Sequence, residues 1–68
     1  MVMLTHKQIK DLRLALGLTG FEFAQKIGVS EDCVWKWEKG IRHPTWKKMQ
    51  RLNGLLKDAE KKGLLQLA

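Results

Sequence analysis

Apolar residues recur every three or four positions through most of the chain. They fall into four groups: Ile9, Leu12 and Leu16; Phe23, Ala24 and Ile27; Val34 and Trp37; Met49, Leu52 and Leu56. This spacing puts each group on one face of an α-helix, and no segment alternates as a half-buried strand does. The pattern predicts an all-α protein with helices near 6–16, 20–27, 31–39 and 46–56, and a weaker fifth helix near 58–67 that Gly63 interrupts.

The hydroxyl residues indicate where the helices begin. The chain contains only four of them, Thr5, Thr19, Ser30 and Thr45, and each precedes one of the four apolar groups. A Ser or Thr at the N-cap accepts a hydrogen bond from an amide that the first turn leaves unpaired. Gln8 and Glu22 follow Thr5 and Thr19 at the spacing of a capping box. Glycines suited to a left-handed helix end stand after the first three segments, at Gly17, Gly28 and Gly40.

The connection between the second and third helices is short. It consists of residues 28–30, and a three-residue turn between two helices of eight or nine residues is typical of a helix-turn-helix. The prediction is therefore a compact four- to five-helix bundle that contains a helix-turn-helix. On DNA this motif places its second helix in the major groove. We expect residues 1–57 to form this domain and residues 58–68 to form a C-terminal helix or tail that offers a dimer contact.

Length and charge narrow the choice of function. Sixty-eight residues make one small domain, and the formal net charge is +6. Residues 1–35 carry four basic and four acidic groups, whereas residues 36–68 carry nine basic and three acidic groups. The excess positive charge thus lies in the second half, and a polyanion is the partner that such a balance serves.

The sequence gives little support for catalysis or for metal binding. Cys33 is the only cysteine and has only His6 and His43 to help it bind a metal, so we expect no metal site and no cofactor. The hydroxyl groups are needed as helix caps, and the chain has no glycine-rich phosphate loop, so we expect no enzyme. The opening apolar run is too short for a signal peptide, and no stretch reaches the roughly 20 residues that span a bilayer. We expect a soluble cytoplasmic protein.

Residues 9–56 resemble the Cro and phage-repressor type of helix-turn-helix domain. The matching residues keep one fixed spacing: Leu12-Arg13, Gly17-Leu18-Thr19, Phe23-Ala24, Ile27-Gly28-Val29-Ser30, Val34, Trp37-Glu38, Gly40 and Pro44. The resemblance implies a bacterial or phage-encoded regulator of transcription, in particular a repressor, that binds double-stranded DNA and reads the major groove with the helix at 31–39. It also implies that Arg13 and Glu38 form a structural pair. The chain departs from the family at the start of the second helix, where Gly20 and Phe21 stand in place of a common DNA-contacting glutamine.

Helical spacing separates the two faces of the third helix. With Val34 and Trp37 facing inward, the residues that face outward or lie at the edge are candidates for base contacts: Glu31, Asp32, Trp35 and Lys36. Two alternatives stay open. Acidic residues in a first turn are also favoured by the helix dipole alone. The tryptophan suits contact with DNA and contact with a protein equally well.

A second set of residues is suited to phosphates. These candidates lie at the start of the second helix, at the end of the third, in the loop that follows and at the start of the fourth: Thr19, Lys39, Arg42, Lys47 and Lys48. Any one of the cations is also explained as a solvated surface residue. As a cluster beside the predicted recognition helix, they are better explained by neutralisation of the DNA backbone.

A single recognition helix buries little surface, so proteins of this kind usually bind DNA as two-fold dimers. We expect a homodimer in which Leu64 and Leu65 pair, whereas Leu56 covers the bundle. The rival hypothesis is a protein-interaction module, such as an antitoxin or a regulatory adaptor. It would use the same bundle and contact a toxin or regulator through Phe21, Trp35 and Trp46.

Overall fold

Four helices form the described part of the chain. A computed structural model describes residues 3–64, and in this range the helices are α1 (His6–Ala15), α2 (Gly20–Ile27), α3 (Glu31–Lys39) and α4 (Trp46–Lys61), with no strand. The predicted all-α bundle is confirmed. Of the two alternatives, four helices and not five are present among these residues.

The predicted helix starts are confirmed. Each of the four hydroxyl residues is an N-cap with extended backbone, and its side chain accepts a hydrogen bond from an amide in the first turn. Thr5 with Gln8 and Thr19 with Glu22 form complete capping boxes. Local hydrogen bonds, which depend on a few neighbouring residues only, therefore define where every helix begins.

The end of the fourth helix was predicted wrongly. We expected a break after Leu56 and a separate helix from residue 58, but α4 runs without interruption to Lys61. The reason is that residues 57–61 contain no glycine or proline that would break the helix. Gly63 ends α4, with a positive φ of 74° and an amide that donates to the carbonyl of Glu60. The remainder of the expected fifth helix, residues 65–68, lies outside the described residues.

The core collects one apolar stripe from each helix. Ten of the eleven apolar residues that the spacing selected are buried, and the eleventh, Leu16, packs against them half-buried. The periodicity missed Leu4 and Ala59, which are both buried. Leu4 precedes α1, and Ala59 lies in the part of α4 that the sequence did not predict as continuous. The expected covering role of Leu56 is confirmed, since it is 3% exposed.

The turn between α2 and α3 has the predicted tight geometry. Gly28 is the C-cap of α2 with φ at 87°, and the amides of Gly28 and Val29 both donate to the carbonyl of Ala24 at 2.8 and 3.0 Å. The small Ala24 side chain is buried where these helices pack. This turn directs α3 away from α2 with one face available to solvent.

Two glycine substitutions give opposite predictions for stability. Gly28→Ala forces a side chain into left-handed backbone and should lower the free energy of unfolding by about 1–2 kcal/mol. Gly54→Ala lies within α4, where an added Cβ would meet nothing within 4 Å, and should raise stability by about 0.5–1 kcal/mol. Urea denaturation followed by circular dichroism measures both. A Gly28→Ala variant as stable as the parent would contradict the role assigned to the turn.

Candidate nucleic-acid interface

Helix α3 lies in the bundle with one face buried and the other open. Val34 and Trp37 are 1% and 3% exposed, whereas Trp35 is 51% exposed. Cys33 and Glu38 lie between these faces and are half-buried. The predicted division of α3 into an inward and an outward face is confirmed, and no part of residues 3–64 covers the outward face.

An ion pair fixes the end of α3 to α1. Nε of Arg13 donates to Oε2 of Glu38 at 2.7 Å, and Nη2 donates to Oε1 at 3.2 Å. Nη1 of the same guanidinium donates to the carbonyl of Leu18 at 3.1 Å, in the loop that leads into α2. The two side chains are 17% and 12% exposed, so both charges are largely withdrawn from water. One arginine therefore joins α1, the end of α3 and the loop before α2.

Two pairs of α3 side chains, each one turn apart, lie on the outward face. Nζ of Lys36 lies 3.0 Å from Oδ2 of Asp32, and Nζ of Lys39 lies 5.9 Å from the centre of the Trp35 ring. The first is an ion pair, and the second is a cation–π contact. The three predicted base-contacting residues Asp32, Trp35 and Lys36 thus share one surface, but the charges of Asp32 and Lys36 offset each other.

The fourth predicted base-contacting residue, Glu31, lies against the start of α2. A Cβ built on Gly20 would stand 3.6 Å from Oε2 and 3.7 Å from Cγ of Glu31. Beside this contact is a cleft of about 390 Å³ lined by Arg13, Gly20, Glu31, Asp32, Val34, Trp35 and Glu38. The glycine that replaces the family's glutamine therefore leaves space for a side chain from α3. Sequence spacing gave no signal for this contact.

The start of α2 is also acidic, which affects the candidate phosphate contact at Thr19. The hydroxyl of Thr19 already accepts from the amide of Glu22 at 3.1 Å. The backbone N–H of Thr19 donates to the Glu22 carboxylate at 3.0 Å and, together with the Thr19 side chain, holds the pKa of that exposed carboxyl below its usual 4.5. Glu22 and Glu31 thus both bring negative charge to this helix end.

The predicted phosphate-contacting cations fall into two groups. Lys39, Arg42 and Lys47 are exposed at the end of α3, in the following loop and in the first turn of α4. Lys48 is half-buried instead, and its Nζ would lie 3.9 Å from a Cβ on Gly28.

Arg51 joins Lys48 at the turn. Its Nη1 would lie 3.6 Å from the same Cβ on Gly28 and donates to the carbonyl of Ile27 at 3.4 Å. Both cations therefore meet the negative end of the α2 dipole. Arg51 was not among the predicted phosphate contacts. Its position three residues after Lys48 would have grouped the two cations on one helix surface.

Several large apolar side chains remain exposed. Phe21 is 55% exposed at the start of α2, and Trp46 is 64% exposed at the start of α4. Leu64, predicted for a dimer contact, is 49% exposed, and its expected partner Leu65 lies outside the described residues. Phe21 therefore does not pack into the core.

Within residues 3–64, no helix is both long enough and apolar enough to span a membrane. The same part of the chain contains no group of three or more His, Cys, Asp or Glu residues that could hold a metal ion.

Comparison with known families agrees with the geometry. Residues 9–57 match the family model for the helix-turn-helix of the Cro/C1 type, which covers more than half of the chain. The chain belongs to this family and is a DNA-binding regulator of transcription of the Cro/C1 type. Neither the curated proteins nor the solved structures contain a significant match.

A double-mutant cycle tests the Arg13–Glu38 pair. Because either partner alone would leave a largely desolvated charge, Arg13→Met and Glu38→Leu should each cost stability near the lower end of the roughly 3–5 kcal/mol range for broken buried pairs. The double variant should cost less than the two single costs added, with a coupling of about 0.5–3 kcal/mol. The exposed Asp32–Lys36 pair is the matched control and should show at most about 0.5 kcal/mol. Equal coupling in both pairs would show that Arg13 and Glu38 do not fix α3.

Proposed function

We propose that the protein represses transcription by binding a specific double-stranded DNA sequence with α3 in the major groove. The observation that carries this proposal is the exposed polar face of a helix whose opposite face is buried. Its polar residues Glu31, Asp32 and Lys36 offer acceptors and a donor to base edges, and Trp35 offers an apolar surface to a thymine methyl group.

The cations at the start of α4 support phosphate binding. Lys47 and Lys48 occupy the first turn of α4, which contains no acidic residue. A cation at this positive end of a helix is unfavourable, by about 0.3–1 kcal/mol, unless an anion approaches it. Amides of a first helical turn lack partners within the helix and can bind a phosphate as well. DNA phosphates at this helix end, near Lys39 and Arg42, explain the arrangement.

We further propose that the protein acts as a homodimer, because one helix of nine residues presents too few contacts for tight specific binding. The exposed Leu64 supports a contact near the C-terminal end of α4. In this proposal the protein binds DNA and catalyses no reaction. It works in the cytoplasm of a bacterium or of a phage-infected cell.

The exposed aromatic residues favour a second candidate function. Phe21, Trp35 and Trp46 are each more than half exposed, and such residues commonly anchor protein–protein contacts. An antitoxin or regulatory adaptor could use them on a protein partner. The two functions differ in their sensitivity to salt, because only DNA binding releases counterions from phosphates.

The salt dependence of duplex binding tests the cationic cluster. Replacing Lys39 and Arg42 with alanine should weaken binding to all duplexes alike. The slope of log K against log salt should become shallower by about 1.8 for each bound subunit, and so by about 3.6 for the proposed homodimer, since each phosphate contact contributes about 0.9. The matched control replaces Lys57 and Lys61 with alanine, because these cations lie on the far half of α4, about 15 and 21 Å from Lys47 at 1.5 Å per residue. Fluorescence anisotropy across a salt series gives the slopes.

The control variant should leave the slope nearly unchanged. Equal slopes for all three proteins would contradict the assignment of Lys39 and Arg42 to phosphates. A parent slope close to zero would instead favour the adaptor.

A further inference from the structure

We propose that Glu31 reads a cytosine in the DNA half-site, and that Gly20 positions it for this task. The inference rests on the proposed function and deepens it, because it names one base of the recognised sequence.

The two acids at the start of α3 differ in their partners. The carboxylate of Asp32 is 3.0 Å from the ammonium of Lys36, so its acceptor capacity is partly used. The Glu31 side chain forms no hydrogen bond and no ion pair within residues 3–64. It therefore presents an acceptor that a ligand can satisfy, at the end of the recognition helix that leads into the groove.

Gly20 determines where this acceptor lies. Because Gly20 has no side chain, the Glu31 side chain lies next to an open space. Its Oε2 and Cγ atoms are 3.6 and 3.7 Å from the point where a Cβ of residue 20 would stand. Alanine would fit there in ordinary van der Waals contact. A longer side chain at position 20 would extend into the same space and displace the carboxylate. Gly20 is thus a positioning residue that needs no contact with DNA of its own.

The chemistry of the cleft selects cytosine among the four bases. A carboxylate only accepts hydrogen bonds, so it favours a base edge that donates. Cytosine presents the N4 amino group in the major groove, whereas adenine presents its N6 amino group next to the N7 acceptor, which repels a carboxylate. The half-exposed Trp35 ring lines the same cleft and offers an apolar surface to the C5 edge of a pyrimidine. Guanine and thymine present acceptors at the corresponding positions.

Selection of bound duplexes from a random pool tests the proposal with the full chain. The parent should select a sequence with cytosine at one position of each half-site. In Glu31→Gln the amide both donates and accepts, so preference at that position should move from cytosine towards adenine. Measured on the two duplexes, the ratio of affinities should change by about 5- to 150-fold, which corresponds to the 1–3 kcal/mol of one good base contact.

Glu22→Gln is the matched control. It removes the same charge at the same end of α2 and keeps the capping box, because glutamine also serves at this position. It should strengthen binding to all duplexes slightly and leave the preferred bases unchanged. If Glu31→Gln selects the same bases as the parent, the assignment of Glu31 is wrong, while DNA binding by α3 stands. If the parent selects no sequence at all, the proposed function itself fails.

Two substitutions at position 20 test the positioning role. Gly20→Ala should keep the cytosine preference, whereas Gly20→Leu, whose longer side chain has no hydrogen-bonding group, should reduce it towards that of Glu31→Gln. Thermal unfolding of both variants shows whether they are folded, and the comparison uses the preference ratio, which loss of folded protein leaves unchanged. Identical ratios in the two variants would overturn the role of Gly20.

Discussion

The Arg13–Glu38 pair is the interaction on which the position of α3 depends. Helices of eight to ten residues are too short to be stable alone, so their orientation comes from tertiary contacts. The guanidinium satisfies three acceptors, the two oxygens of Glu38 and the carbonyl of Leu18. Because these acceptors lie on α3 and in the loop before α2, a single planar group holds the end of α3 and this loop to α1.

Charge is divided between the recognition helix and its surroundings. Helix α3 itself carries three acids and two lysines, so it contributes no excess of positive charge. Of the cations proposed to contact phosphates, Lys39 ends α3, whereas the others lie in the loop after α3 and at the start of α4. This arrangement fits the general behaviour of DNA-binding proteins, in which backbone contacts supply affinity and base contacts supply specificity. Acids can stand on the face that is proposed to approach DNA, since Asp32 is paired and Glu31 rests over Gly20.

The sequence predicted the features that depend on residues close together in the chain, and it did not predict those that depend on contacts between distant residues. The helix starts depend on hydrogen bonds over three residues, and all four were predicted from hydroxyl positions. The end of α4 was predicted too early, at Leu56, although no glycine or proline lies between Leu56 and Gly63 to end the helix there. Arg13 and Glu38 are 25 positions apart, and only the family resemblance linked them.

In the candidate site, too, the sequence predicts contacts within one helix and does not predict contacts between helices. Asp32 and Lys36 lie one turn apart, so their pairing was available from spacing. The contact between Glu31 and Gly20 depends on how α2 and α3 cross, and no local pattern encodes it.

The helix termini show where stability and function compete in this protein. At α3 the dipole and the sequence agree, because Glu31 and Asp32 stand in the first turn. At α4 they disagree, because Lys47 stands in the first turn, where the dipole disfavours cations. Its neighbour Lys48 lies beside the C-terminal end of α2, which offsets this effect for Lys48 alone. A domain of this size has little stability in reserve, so an unfavourable arrangement needs a compensating gain. The proposed contact with DNA phosphates would supply that gain, since phosphates reverse the sign of the interaction at the α4 terminus. The acids at α3 need no such compensation, because they already stand at the helix end where the dipole favours negative charge.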